Sequence, residues 1–171
     1  MLLHLLVLAP FVAAILMVAT SKEDPKSSSR LAFLFGAAFL AMSIALIASG
    51  NQATEAVEWF RIPGAKGSVY YYLYSHGLGA WMVFLSTGLS LVALITGRNT
   101  FEKNYRNFAI AIFALMGAMN GTFLAADAVL FFFFFEAMVF PAAVLIAGFG
   151  GKDRRKAAMT FRFTPWWVLL R

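Results

Sequence analysis

Ala126–Gly151 reads ADAVLFFFFFEAMVFPAAVLIAGFGG, and Glu136 is the one ionisable residue in its interior. The run Ala128–Gly148 is 21 residues long. At about 1.5 Å per helical residue it covers the roughly 30 Å hydrocarbon core of a bilayer, so it reads as a spanning helix. Its midpoint is Met138, two residues on from Glu136, so the carboxyl lies about 3 Å off centre, too deep to reach either headgroup layer. A carboxylate there costs on the order of 3 kcal/mol on insertion scales, and by default it faces a bundle interior, a partner or a water path. A functional reading of Glu136 therefore comes first and a packing role second.

The rest of the chain agrees with a membrane setting. Its 171 residues are 61% hydrophobic and 13% charged, against about half apolar in a soluble domain, which excludes a soluble enzyme or binding module. The net charge of +6 lies between the apolar runs and not on an amphipathic face, so nucleic acid is not an expected partner. With no cysteine, no disulfide, thiolate metal site or iron–sulfur cluster can be built here. The first run has no Lys or Arg before it and is longer than a signal-peptide core of about 7–15 residues, so it reads as a retained helix.

An all-α membrane protein of about five transmembrane helices follows, with helices at about 2–19, 31–49, 77–96, 108–126 and 128–148 in a membrane domain of residues 1–151. The first run is broken only by His4 and Pro10. It ends in the linker SKEDPKSSSR, where Pro25 is expected to oppose helix. A long loop from Gly50 to about Ser75 carries YYYLY at Tyr70–Tyr74, rings suited to the headgroup layer, with a hairpin or interfacial strand expected around Pro63-Gly64. Gly117 and Gly121 stand four apart on the fourth helix, where they let a neighbour approach closely. Only Ala126-Asp127 separates the fourth and fifth helices, so the two form a tight hairpin. Residues 152–171 form a basic tail that reads as the truncated start of a further helix.

Alternating the loops between sides puts twelve Lys and Arg on one side, and only Arg61 and Lys66 on the other. The positive-inside rule then places the N-terminus outside and the C-terminus in the cytoplasm.

Burial in low dielectric favours the neutral form of the Glu136 carboxyl, and a nearby cation reverses that. A carboxyl switched by a movable lysine or by water access is the working part of a proton relay. Pro141 removes an N–H and frees the carbonyl of Ala137 one turn back, leaving a polar spot beside Glu136. Ala143 and Ala147 follow Glu136 on the same face and admit a second helix. The competing reading is a protonated glutamic acid hydrogen-bonded between helices for packing. Asp127, at the start of the helix, reads as its cap. His76 and His4 lack a second ligand at metal-binding spacing and read as interfacial, His76 being the one that could join a proton path. The five phenylalanines Phe131–Phe135 read as lipid and helix contacts. No nucleotide-binding, CxxC or serine-elbow pattern occurs.

FLAADAVLFFFFFEAMVFPAAVLIAGFGG resembles the fifth-helix region of the antiporter-like subunits of respiratory complex I, most closely the chain M (subunit 4) family. There a stretch of the type FLAxDxxLFFxFWExMLxPMYxLIxxWGG carries a membrane glutamate, which Glu136 matches, as do Asp127 and Pro141. MLLHLLVLAPFVAAIL, HGLGAWMVFLSTGLSLVALI and GGKDRRKAAMTF also look like their counterparts, so the resemblance covers nearly the whole chain but only the first third of the family's length. It implies a membrane-arm subunit of a redox-driven proton pump in a bacterial inner membrane or an energy-converting organelle membrane. Other membrane-arm subunits and the lipid bilayer would be its partners, with NADH, FMN, iron–sulfur clusters and quinone on partner subunits and no cofactor in this chain. Glu136 would be the proton-relay carboxylate, supported by Asp127, Pro141 and His76, with its lysine partner on a later helix.

The departures are His76-Gly77-Leu78-Gly79 where the family has Asp-Gly-Leu-Ser, and Phe135 and Phe149 where it has Trp. The ending MTFRFTPWWVLLR replaces TKFFxYT, so Thr160 stands where the family has lysine. These departures point to an N-terminal fragment that does not transport alone. Competing expectations are a subunit of a cation/proton antiporter or membrane hydrogenase, and a non-transporting membrane remnant.

Overall fold

In the computed structural model, residues 1–19, 25–50, 52–54, 56–61, 68–151, 154 and 157–160 are described. Their order is α1 (Leu2–Val18), α2 (Pro25–Ala48), β1 (Gln52–Ala53), β2 (Val57–Arg61), β3 (Ser68–Tyr71), β4 (Tyr74–Ser75), α3 (Gly77–Thr100), a 3₁₀ turn (Glu102–Asn104), α4 (Tyr105–Leu124) and α5 (Ala128–Phe149). Among the described residues, α2, α3, α4 and α5 are long and apolar enough to cross a membrane, and α1 is a shorter apolar helix. This is an all-α membrane fold with a small extramembrane β layer.

Several boundaries differ from the sequence expectation, α4 for instance starting at Tyr105 and not at 108. Helix α2 starts at Pro25 and not at Leu31. Proline opposes a helix interior, but at the first helical position its missing N–H would be unpaired anyway and its φ is already helical. Helix α3 runs on to Thr100, and near its end Gly97, lacking a Cβ, lets the ring of Phe108 lie against the backbone. Helix α4 stops at Leu124, since Ala125 turns extended and bridges to Leu73 while Ala126 N–H donates to the Tyr72 carbonyl at 3.0 Å. At the end of α2, Gly50 takes φ +74°, a left-handed close that costs glycine little.

Helix α4 is the centre: it packs against α1, α3 and α5, with α2 in lighter contact, while α2 and α3 form a second close pair. Helix α1 turns Leu3, Leu6, Val7, Pro10, Ala13, Ala14 and Met17 inward, a stripe at helical spacing, and leaves Leu8, Val12 and Ile15 exposed. A helix apolar on every face is at home inside protein or against lipid. The glycines expected to admit a neighbour do so on two different sides. A Cβ at Gly117 would meet Phe11 of α1 at 2.8 Å, and one at Gly121 would meet Phe134 of α5 at 2.5 Å. Between α2 and α3 the Thr87 hydroxyl donates to Ser43 Oγ at 3.0 Å, and Ser43 donates to the Leu40 carbonyl at 2.7 Å. Small hydroxyl residues in such a seam join helices where the hydrophobic effect supplies no attraction.

The two ends of the bundle differ. At one end lie the C-terminal ends of α1, α3 and α5 and the starts of α2 and α4. Arg106 donates to the Val18 carbonyl at 3.2 Å and Arg154 to the Gly148 carbonyl at 3.2 Å, cations placed on the negative ends of α1 and α5. At the other end β2 pairs antiparallel with β3, and β1 with β4. The hairpin expected in the long loop is therefore present, while Pro63-Gly64 lies outside the described residues.

Candidate functional site

Helix α5 is positioned by its first residues. Asp127 is its N-cap: Oδ1 accepts from Val129 N–H at 2.8 Å and Leu130 N–H at 3.2 Å. Its Oδ2 accepts from Tyr70 N–H at 3.4 Å, so one carboxylate both starts the helix and fastens the hairpin to it. Trp59 of β2 meets Phe133 edge-to-face with ring centroids 5.4 Å apart. Asp127 is thus the cap read from the sequence, with an added tie to the β layer.

From that anchor α5 lays Leu130, Phe134 and Pro141 on its buried side. At about 100° per residue, Glu136 lies about 120–160° round the helix from each of them, and its side chain is exposed. Phe132 and Phe140 are exposed and Ala143 and Ala147 half-buried, and all four fall on Glu136's half of the helix. Of the three surroundings expected for this carboxyl, the interior of the described bundle is not the one it has. Among the described residues it forms no ion pair or hydrogen bond. The five phenylalanines divide as expected between helix and surroundings, with Phe134 buried against Gly121 and Phe131, Phe132 and Phe133 exposed.

His76 is the N-cap residue of α3 without a side-chain capping bond. Its ring stacks on Tyr74 at 5.8 Å, and its Nδ1 lies 3.5 Å from the Tyr74 hydroxyl. Its partner is Tyr74, at the hairpin end, and not Glu136. His4 stacks on Tyr71 at 5.6 Å, with Nδ1 3.4 Å from the phenol oxygen. Burial pushes the Tyr71 phenol above its ordinary range. Among the described residues there is no cluster of three His, Cys, Asp or Glu side chains able to hold a metal ion.

The sequence reading missed a buried polar contact on the opposite side of α4. Pro10 has no N–H to give the carbonyl of Leu6 four residues back, and Asn120 of α4 supplies one, its Nδ2 donating to Leu6 O at 2.9 Å. Asn120 is fully buried, and among the described residues its Oδ1 has no partner. The signal was present: a proline inside an apolar helix leaves a carbonyl to be satisfied, and an amide inside another helix is the group that can do it. Pro141 creates the same vacancy at Ala137, but among the described residues no side chain donates there.

Four long apolar helices and a shorter one, an ionisable residue at mid-span and a belt of aromatic residues at one end define a polytopic α-helical integral membrane protein. Over nearly its whole length the chain is homologous to the N-terminal part of NADH-quinone oxidoreductase subunit M. It is 32% identical to that subunit from Escherichia coli K12 over 174 aligned residues, which cover 94% of this chain and 34% of the relative. Against the Rhodobacter capsulatus subunit M it is 27% identical, covering 94% of this chain and 32% of the relative. With NADH-ubiquinone oxidoreductase chain 4 of Paracentrotus lividus it shares 33% identity over 53% of this chain and 21% of the relative. The chain therefore spans about a third of the length of the curated relatives it matches. No family model matches it.

Proposed function

We propose that this chain serves in the membrane arm of an NADH:quinone oxidoreductase and contributes to redox-coupled proton translocation, with Glu136 as the relay carboxylate. The observation that carries the reading is the placement of a lone mid-span carboxyl on the face of α5 turned away from α4. Left against lipid, that group would cost on the order of 3 kcal/mol. Seated against another protein element with a cation or water, it gains a partner and a switch between charged and neutral forms. Ala143 and Ala147 on the same half of the helix admit that element, and the unfilled Ala137 carbonyl offers a water a second acceptor. Asp127 supports the site by fixing where α5 starts, and Pro141 by freeing the Ala137 carbonyl. Arg30, Arg98, Arg106 and Arg154 stand at the end of the bundle opposite the hairpins, and that end faces the cytoplasm or its equivalent. The redox groups reside on other subunits.

The test is Glu136→Gln in the assembled complex, with NADH oxidation and proton movement measured in the same vesicles. Assembly at normal levels with proton movement reduced to the passive leak is the expected result. Unchanged pumping with glutamine at this position would remove Glu136 from the path.

A further inference from the structure

At the end of the bundle opposite the hairpins, α2, α3 and the start of α4 enclose a cavity of about 340 Å³. That is within the range of about 300–1,000 Å³ typical of small-molecule sites. Its lining includes two guanidinium side chains, Arg30 from α2 and Arg98 from α3, together with Ser29 and the apolar Phe33, Leu94 and Ile95. Tyr105 closes one side and is fixed there by donating its hydroxyl proton to the Leu94 carbonyl at 3.1 Å. Both arginines are exposed, and among the described residues neither meets a carboxylate. Phe33 and Ile95 are 49% and 51% exposed, so the apolar side opens toward the bilayer.

We propose that this cavity is a binding site for an anionic phospholipid, its phosphate held between Arg30 and Arg98 and the upper part of one acyl chain lying along Phe33 and Ile95. The charge pattern selects the headgroup. Two guanidinium groups match a phosphate oxygen pair, and basic pockets between spanning helices at a membrane surface take such headgroups. The apolar wall selects the lipid over a free anion. A solvated phosphate gains nothing from Phe33 and Ile95, whereas an acyl chain fills the groove that these side chains leave between α2 and α3. The site is separate from Glu136 and does not depend on the proton-relay reading.

The experiment uses the 171-residue chain in phosphatidylcholine vesicles, with trace spin-labelled phosphatidylglycerol or spin-labelled phosphatidylcholine reporting the motionally restricted fraction. The chain is expected to prefer phosphatidylglycerol. Each of Arg30→Gln and Arg98→Gln should reduce that preference about fivefold, the effect of one cation near an anionic headgroup. Arg154→Gln, at the same end but outside the cavity, should leave it unchanged, and inorganic phosphate should not displace the lipid. Equal restriction of the two lipids, an equal loss in Arg154→Gln, or displacement by inorganic phosphate would each overturn the assignment. Circular dichroism of each variant checks that the helices remain.

Discussion

Replacing Asn120 by leucine keeps the branching of its side chain but removes the donor to the Leu6 carbonyl, a bond of 2.9 Å between α4 and α1. Interhelical side-chain bonds of this kind contribute about 0.6 kcal/mol on average and up to about 1.7. This one sits at the upper end, because Asn120 is fully buried and Pro10 leaves Leu6 without a donor from its own helix. The same substitution also removes an Oδ1 that has no partner among the described residues, which offsets part of the loss. The coupling with Pro10 is therefore more diagnostic than the single cost. In Pro10→Ala the N–H of residue 10 returns to the Leu6 carbonyl, and Asn120 becomes redundant. A double-mutant cycle should give an interaction energy of about 1–1.5 kcal/mol, with Asn120→Leu costing less in the Pro10→Ala background. Reversible unfolding in mixed micelles, followed by circular dichroism, measures all four corners. Additivity within about 0.3–0.5 kcal/mol would show that Asn120 does not act through the vacancy at Pro10.

The remaining predictions concern packing, capping and titration. Gly121→Val should force Phe134 off α4 and destabilise the α4–α5 hairpin by about 1–3 kcal/mol, whereas Gly88→Ala, whose new Cβ would meet Leu40 at 3.9 Å, should be tolerated in the same unfolding assay. Asp127→Ala should cost about 0.5–2 kcal/mol through the lost cap, and hydrogen exchange should show faster opening at Val129, Leu130 and Tyr70 together. Because burial raises the Tyr71 phenol, the unfolded chain loses that proton first as pH rises past about 10. The folded state then binds more protons, so Tyr71's contribution is complete below that pH and declines above it. Comparing unfolding midpoints at pH 9 and pH 11, the decline should be smaller in Tyr71→Phe.

The spans α2 to α5 were legible because each of those apolar runs is long enough to cross a bilayer, and lipid imposes no alternation to confuse the reading, whereas the first run folds as a shorter apolar helix. Pro25 misled, since the same residue breaks a helix interior and begins a helix, and only the chain preceding it decides between the two. The hairpin after α2 was foreseen without its register, which depends on ties such as Tyr70 to Asp127 that lie far apart in sequence. At the candidate site, Glu136's place near the middle of α5 and the role of Asp127 as its cap were legible in the residues. The direction of the carboxyl was not, because α5 is apolar on every side and no polar stripe marks which face meets α4. That direction follows from Gly121, whose missing side chain seats Phe134 and thereby turns Glu136 away.

The central claim is that the Glu136 carboxyl gains and loses a proton as the assembled complex turns over. Infrared difference spectroscopy of the complex before and after NADH addition, with wild type and Glu136→Gln compared, tests it most directly. The account predicts a protonated-carboxyl band that changes with NADH in the wild type and is missing from the variant. A difference spectrum identical in the two proteins would contradict it.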